Sequence, residues 1–443
     1  MNVSIVSVRP LKSLVAIALP FLVFTATSAE GQLLPAGIGA YTFGGRQFTG
    51  NPSSFDDTGK SRDLGSQFNQ DFTSEKMSSG KDGADLQKLY RGLQQYDAQS
   101  ANATAAGEPP PEGFADQLNL GKLRGTVKAN IQAKYVAMAY GVTSKWTVFG
   151  GVPFVNASVD TSLAYSGKNN ALDVQQKLGD FAFDELQAGL TTASNLNATT
   201  VKNKIEQDYH YASIDHWQYK GMGDTFLGAR TEYNLPRGAL TRNSIMSVFQ
   251  LDVPTGHSDD PDILTDAPIG KGYYSLAASA APKCVMSSSF IGAEVGLSYG
   301  FAQKTKRRVP IADESLVAAD RKTTVNWQPG QDLKFAGSIG TEGKSLGALY
   351  KIGGLQHTRD RYTGSLKGNY YALENPTVSQ VRYHEATLQY STVKTFAAKK
   401  FPIPLILALT AHDTLAGRNA SNVRYYELSI MSFFKTPAAK PAK

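Results

Sequence analysis

The last strand-like run of the chain, Asn422 to Phe434, constrains its fold most. Apolar and aromatic residues recur there at alternate positions, which indicates a strand with two different environments. One face of an extended chain would carry Tyr426, Leu428, Ile430, Ser432 and Phe434. An aromatic residue that closes an alternating strand near the C-terminus is how a bacterial outer-membrane barrel usually ends. The run therefore predicts a strand that meets lipid on one face and water on the other.

The first 29 residues predict an export signal. Arg9 and Lys12 precede a mainly apolar stretch that ends at Phe24, and small residues follow as far as Ala29. This order is typical of a cleaved secretory signal. A membrane-spanning helix needs roughly 20 apolar residues, and polar sequence begins too early, at Glu30, for that interpretation. We therefore expect an exported protein whose location is the outer membrane.

The amino-acid composition restricts the classes of function that the protein could have. Gly (41), Tyr (21) and Phe (21) are frequent, which suits tight turns and the aromatic girdles of an outer-membrane barrel. The formal net charge of +7 is mild, and no cluster of Lys and Arg has the density of a nucleic-acid surface. The single cysteine, Cys284, excludes an internal disulfide. We expect no nucleic-acid partner.

Several internal segments alternate polar and apolar residues. In the clearest, Val127 to Tyr140, lysines and amides lie opposite Val, Ala, Ile and Tyr. In a soluble sandwich the apolar face would contact a core, whereas in a barrel it would contact lipid and the polar face would line the lumen. The small residues on the apolar faces favour the barrel. The candidate lumen-lining residues are Lys128, Lys134, Arg230, Glu232, Asp252 and Glu294.

The connections between segments alternate in length. We expect strands near 36–46, 122–140, 145–163, 217–234, 242–253, 271–282, 285–301, 329–340, 345–358, 380–396, 402–412 and 422–434. Short links alternate with long ones, as the periplasmic turns and extracellular loops of outer-membrane barrels do. The parity predicts an all-β, antiparallel transmembrane barrel of about twelve strands. If the weak segment 36–46 were instead a plug, the count would change.

Two long insertions, 47–121 and 164–216, carry helix-like stretches. Apolar residues recur at helical spacing within 84–98 and again around Asp173 to Leu190. The sequence therefore predicts three regions: a signal peptide (1–29), a barrel with long extracellular loops carrying short helices (30–434), and a flexible C-terminal tail (435–443). The helices could gate the pore or pack as surface helices on other loops.

The chemistry of known catalytic sites is not evident. No nucleophile elbow, phosphate loop or dinucleotide fingerprint stands in a fitting context. His210 and His216 are the only local histidine cluster and make a weak metal site. The acidic stretch after Gly256 could bind calcium, although a solvated acidic loop is the simpler interpretation. We expect no enzymatic activity, no catalytic residue, no metal and no cofactor.

Three stretches resemble one family. Ala139 to Phe154 resembles a "strand, Gly-Leu-Thr turn, strand, then Pro-Tyr" unit. Gly221 to Gly228 resembles a strand that opens with Gly-x-Gly-Asp, and Asp252 to Gly256 resembles a strand that ends with Pro-Thr-Gly. All three are features of the putative MetA-pathway of phenol degradation group of outer-membrane proteins. That group is similar in turn to the long-chain fatty acid transporter barrels. The resemblance implies a barrel and transport of hydrophobic compounds, and its specific residues lie between about 139 and 300.

The leading functional prediction is a channel or transporter that passes small, hydrophobic molecules across the outer membrane. The alternatives are a porin for polar solutes and a surface binding or adhesion barrel that acts through its large loops. The expected partners are outer-membrane lipid, lipopolysaccharide and an unidentified small-molecule substrate. The strand that ends at Phe434 would engage the barrel assembly machinery.

Overall fold

A computed structural model describes residues 33–49, 53–78, 84–103, 113–179, 184–236, 241–312, 314, 316–343 and 345–435. The predicted signal peptide and all but the first residue of the predicted C-terminal tail lie outside these ranges and stay predictions.

Twelve antiparallel strands form a closed barrel. In chain order they are β1 (Ile38–Phe48), β2 (Asn119–Gly141), β3 (Trp146–Asn169), β4 (Thr225–Asn234), β5 (Thr241–Val253), β6 (Ser275–Met286), β7 (Ser289–Gly300), β8 (Gln331–Glu342), β9 (Leu346–His357), β10 (Ser379–Ser391), β11 (Leu405–Arg418) and β12 (Arg424–Lys435). Each strand pairs with the next, and β12 pairs with β1 from Ile38↔Lys435 to Phe48↔Tyr425. The prediction of twelve strands is confirmed, and the weak N-terminal segment is a full barrel strand.

The outer surface of the barrel is apolar. Large apolar side chains point outward with high exposure, as Leu297 (60%) and Phe43 (55%) illustrate. All twelve strands contribute, among them Tyr41, Val136, Val148, Leu227, Leu251, Leu276, Val295, Phe335, Ile352, Leu388, Leu409 and Ile430. A continuous apolar belt of this kind would be unfavourable in water, and most of the strands have the length that crosses a bilayer at a tilt. The belt therefore identifies a transmembrane barrel.

The links follow the predicted alternation. The turns after β2, β6 and β8 are short, and the turn after β10 carries the short helix Val393–Ala397. The opposite end carries the long links, and two small three-stranded sheets lie there. One contains Gln303–Arg308, Lys322–Gln328 and Arg361–Thr363, and the other contains Ser53–Phe55, Ser61–Asp63 and Ala420–Asn422. Short turns mark the periplasmic end of such barrels and long loops the extracellular end.

Strands β2 and β3 are about twice as long as the others, with 23 and 24 residues. Their extracellular halves support a helical cap, which is built from the described parts of the two insertions. The cap contains the helices Ser74–Ser78, Ala84–Ala103, Phe114–Gln117, Ala171–Leu178, Asp184–Ser194 and Ala198–Asn203. No helix in the described ranges is both long and apolar enough to span a membrane.

The cap has its own hydrophobic core, which corrects one expectation. Val127 and Ala133 of β2 are buried in this core together with Phe68, Leu93 and Leu190 of the cap. We expected the apolar face of Val127 to Tyr140 to meet lipid, but that face points inward along the whole segment, where Val127, Ala133 and Tyr135 are buried. Period-two alternation separates the two faces of a strand without saying which one is inside, and the apolar cap helices reverse the usual assignment here.

Candidate functional site

A cavity of about 930 Å³ lies inside the barrel. Its wall consists mainly of inward-facing residues of β4 to β10. Leu33, Ser144 and Arg242 line it near the periplasmic turns, and Lys271 lines it beside the extracellular loops. The volume falls within the range of about 300–1,000 Å³ that is typical of small-molecule sites.

Four of the six predicted lumen residues line this cavity: Arg230, Glu232, Asp252 and Glu294. All four alternate with outward apolar residues, such as Leu227 and Leu297, on ordinary membrane-length strands.

Lys128 and Lys134 lie elsewhere, which corrects their assignment to the lumen. Both side chains are exposed, on the face of β2 opposite the buried Val127 and Tyr135. Lys128 stands opposite Asp160 of β3, whose Oδ1 lies 2.6 Å from Nδ1 of His216. These lysines therefore belong to the outer surface of β2, because the opposite face points inward, into the cap core at Val127 and Ala133 and towards Glu427 at Tyr135.

One side of the cavity is lined by small and apolar side chains. They come from neighbouring strands β5, β6 and β7, with Phe149 of β3 beside them: Met246, Val248, Ala277, Ser279, Ala281, Gly292 and Gly296. Small inward residues leave the open volume, whereas bulkier residues would fill a barrel of this strand number. This wall can contact an apolar molecule.

Ion pairs connect side chains in the rest of the cavity wall. Near the extracellular end, Nζ of Lys271 lies 2.6 Å from Oδ2 of Asp252 and donates to Oγ of Ser275 at 2.9 Å. Gln250 donates to the other carboxylate oxygen of Asp252 at 2.6 Å. Because Lys271 belongs to the loop after β5, this pair joins the loop to the top of the cavity.

Further pairs follow the strands around the lumen. Glu294 accepts a 2.7 Å hydrogen bond from Lys334 of β8 and lies 3.6 Å from Nζ of Lys351 of β9. Lys283 pairs with Glu342 nearer the periplasmic turns. Each of these lysines has a carboxylate partner, which is the arrangement that a charged group taken out of bulk water requires.

A third polar cluster lies where the barrel closes. Arg46 of β1 pairs with Glu427 of β12, and the hydroxyl of Tyr135 donates to Glu427 at 2.7 Å. His412 stacks between Tyr383 and Tyr425, with ring centroids 5.1 and 4.6 Å away. The sequence predictions missed this cluster. Its one signal was Glu427, a carboxylate at an inward position between the outward apolar residues of the closing strand.

The three family-like stretches meet at one point of the barrel rim. The backbone N–H of Gly223 donates to the carbonyl of Pro153 at 2.8 Å. The hydroxyl of Thr255 donates to the carbonyl of Gly223 at 2.8 Å. Asp224 accepts from the backbone N–H groups of Gly256, at 3.0 Å, and Lys271, at 2.6 Å. We call this set the rim junction.

The rim junction coincides with a break in the barrel wall. The strand His216–Met222 pairs with the extracellular part of β3, and β4 begins only at Thr225, after Gly223 and Asp224. The junction therefore fixes the loop 254–274 at the break, directly above Asp252.

Two acidic residues of the loop 254–274, Asp259 and Asp262, are paired with cations of the protein itself. Asp259 lies 2.8 Å from Arg307, and Asp262 pairs with Arg308, at 2.8 Å, and with Lys322. Burial acts to raise the pKa of Asp262, but the two cations outweigh it and lower that pKa. In the part of the chain that the structure describes, no cluster of three or more His, Cys, Asp or Glu side chains could hold a metal ion.

The side chain of His257 stabilises the same loop through contacts with Asp266 and Tyr219. Its Nε2 lies 2.9 Å from Oδ1 of Asp266, and its ring stacks on Tyr219 with centroids 5.2 Å apart. The hydrogen bond with Asp266 raises the pKa of His257. The loop is therefore secured at both ends by charged contacts.

Solved structures of outer-membrane proteins align with this chain at low identity. No protein-family model matches the chain, and no curated protein matches it. An outer membrane channel from Pseudomonas putida F1 is 10% identical over 92% of this chain and 98% of that one, with a TM-score of 0.46. The CymD monoaromatic hydrocarbon channel is 10% identical over 98% and 100% of the two chains, with a TM-score of 0.28. A Pseudomonas aeruginosa FadL homologue is 9% identical over 98% and 100%, with a TM-score of 0.27.

Proposed function

We propose that the chain is an outer-membrane channel or transporter for small, largely hydrophobic molecules. The observation that carries the proposal is the 930 Å³ cavity inside a closed barrel, whose wall from β5 to β7 is lined by small and apolar side chains. Apolar solutes cross the polar outer leaflet poorly, and a barrel with an internal apolar wall offers them a route.

The cap favours a pathway through the barrel that is narrow or that opens only intermittently. Leu264, Ala267 and Ile269 of the loop 254–274 belong to the hydrophobic core of the cap, and Lys271 of the same loop lines the cavity. The loop therefore lies between the cavity and the cap core, and we expect that passage to the extracellular side requires it to move. A porin for polar solutes is the second candidate, because charged side chains such as Glu294, Lys334 and Glu385 line the same cavity.

Two measurements test the proposal. Cells that carry the protein should take up a radiolabelled neutral aromatic hydrocarbon faster than cells that lack it. The purified protein in planar bilayers should show little steady ion current, because the cap covers the lumen. Large and stable conductance steps, without faster hydrocarbon uptake, would favour the porin instead.

We also propose membership of the putative MetA-pathway of phenol degradation group. The support is that the three stretches resembling that group form the rim junction, although they lie far apart in sequence. Assembly through β12 by the barrel assembly machinery, and contact of the outer surface with lipopolysaccharide, belong to the same proposal. Crosslinking from Phe434 during assembly would test the first of these.

A further inference from the structure

Arg230 differs from the other buried cations of the lumen. It lines the cavity from the middle of β4 and is only 6% exposed. Its Nε is buried and has no hydrogen-bond partner in the described ranges, and no ion pair within 4 Å reaches its guanidinium from those residues. A guanidinium offers five N–H donors, so a large hydrogen-bonding capacity is left open towards the cavity.

The other cations of the lumen have partners that Arg230 lacks. Arg46, Lys271, Lys283, Lys334 and Lys351 are cations of the same lumen, and each lies within 4 Å of a carboxylate. Burying a charge without a partner is costly. Among the residues that the structure describes, each of these lumen cations has a carboxylate within 4 Å, and Arg230 does not.

The surroundings of Arg230 define what could pair with it. In the strand register it stands between Thr147 of β3 and Val248 of β5, neither of which carries a charge. Glu232, two residues further along the same face of β4, is the charged group that acts on it electrostatically. Beyond Val248 the wall continues with the small residues of β6 and β7. A positive group thus borders an apolar surface inside one cavity.

We infer that Arg230 binds the anionic group of a small amphiphilic substrate, a carboxylate attached to a compact apolar body. The guanidinium would hold the carboxylate through two parallel hydrogen bonds, while Val248, Ala277 and Ser279 contact the apolar body. This inference rests on the proposed function and narrows it, since it names apolar acids as the preferred members of the class of small, largely hydrophobic molecules.

Calorimetric titration of the full-length protein in a non-ionic detergent tests the inference. The probes are benzoate and its neutral analogue benzyl alcohol. Benzoate should bind more tightly than benzyl alcohol, and Arg230→Gln should weaken benzoate binding by about tenfold or more while leaving benzyl alcohol unchanged, as expected for loss of charge-assisted hydrogen bonds. Arg230→Lys should keep part of the preference, because it keeps the charge.

Two further variants separate binding from a structural role. Glu232→Gln removes the nearest negative charge and should strengthen benzoate binding severalfold. If Arg230 and Glu232 merely stabilised each other, that variant would leave benzoate binding unchanged or weaken it. Arg382→Gln is the matched control, because Arg382 of β10 is exposed and is not among the residues that line the cavity. Its benzoate affinity should stay within twofold of the parent.

The outcomes distinguish this inference from the proposed function. Equal affinity for the two probes, or benzoate binding that survives Arg230→Gln, overturns the inference while hydrocarbon uptake by cells still supports the channel. Absence of benzoate binding also overturns it. If Arg230→Gln fails to fold, as judged by gel mobility before and after boiling, the Glu232→Gln and Arg230→Lys variants decide.

Discussion

Lys271 of the extracellular loop contacts Asp252 at the top of β5, with Nζ 2.6 Å from Oδ2. Both side chains are largely withdrawn from solvent, with 11% and 6% of their surfaces exposed. The backbone of Lys271 is held as well, since its N–H donates to Asp224 of the rim junction. One residue therefore connects the cavity, the loop above it and the break in the barrel wall.

Release of this contact should open the lumen. In the double variant Lys271→Met with Asp252→Asn, both charges are removed, so no unpaired charge is left buried. The loop 254–274 loses its attachment to the cavity, and we expect higher single-channel conductance in planar bilayers. Lys394→Met, at an exposed position in the periplasmic turn, is the control and should not change the conductance. Identical conductance of the double variant and the parent would show that the loop does not close the lumen.

The rim junction should not tolerate a side chain on Gly270, which packs against Asp224 and Gly256 of the junction. A Cβ on Gly270 would collide with the carboxylate of Asp224 and lie 3.0 Å from Cα of Gly256. Overpacking of this kind costs about 1–3 kcal/mol, so Gly270→Ala should lower the urea concentration at which the barrel unfolds. Gly337→Ala is the matched control, since a Cβ on Gly337 meets no atom within 4 Å. Equal unfolding midpoints for the two variants would contradict the described junction.

A charged side chain should destabilise the protein when it is introduced into the apolar belt, but not when it is introduced on the outer face of the extracellular part of β2. Val295 is 52% exposed on the outer surface of β7. An arginine on the lipid face of a barrel costs about 2–4 kcal/mol near the bilayer midplane, so Val295→Arg should be destabilised by that order in a lipid-based unfolding assay. Asn130→Arg, on the exposed outer face of β2, should be nearly neutral. If Val295→Arg is as stable as Asn130→Arg, the belt does not face lipid.

The stabilisation that His257 contributes to the loop 254–274 should decrease as pH rises. The hydrogen bond with Asp266 raises the pKa of His257 above its ordinary value of about 6.5. Because the charged form is favoured in the folded protein, the stabilisation is fully present below the ordinary pKa and is lost as pH rises through the raised value. The difference in thermal midpoint between the parent and His257→Gln should therefore shrink with increasing pH. A difference that grows with pH would mean that neutral His257 is the stabilising form.

The sequence predicted the membrane-facing strands well because their two faces differ chemically at every step. Arg230 and Glu232 alternate with Leu227 and Tyr233, and Glu294 alternates with Val295 and Leu297. Turn lengths then supplied the strand number, since a closed antiparallel barrel requires short and long links to alternate.

The same reasoning failed for Lys128 and Lys134 because the inside of the barrel is not uniformly polar. The cap inserts an apolar core against Val127 and Ala133, so the apolar face is the inner one in this part of β2. The isolation of Arg230 was likewise beyond prediction from sequence. It depends on which carboxylates the other strands bring near. Those contacts join residues that are 19 positions apart in the chain for Lys271 and Asp252 and 381 positions apart for Arg46 and Glu427.

Gel mobility of the unboiled protein from isolated outer membranes tests the transmembrane barrel most directly. The closed sheet of twelve strands should stay folded in detergent, so the unboiled protein should migrate differently from the boiled form and should fractionate with the outer membrane. A protein that is soluble in the periplasm and migrates identically before and after boiling would contradict the barrel and, with it, the channel.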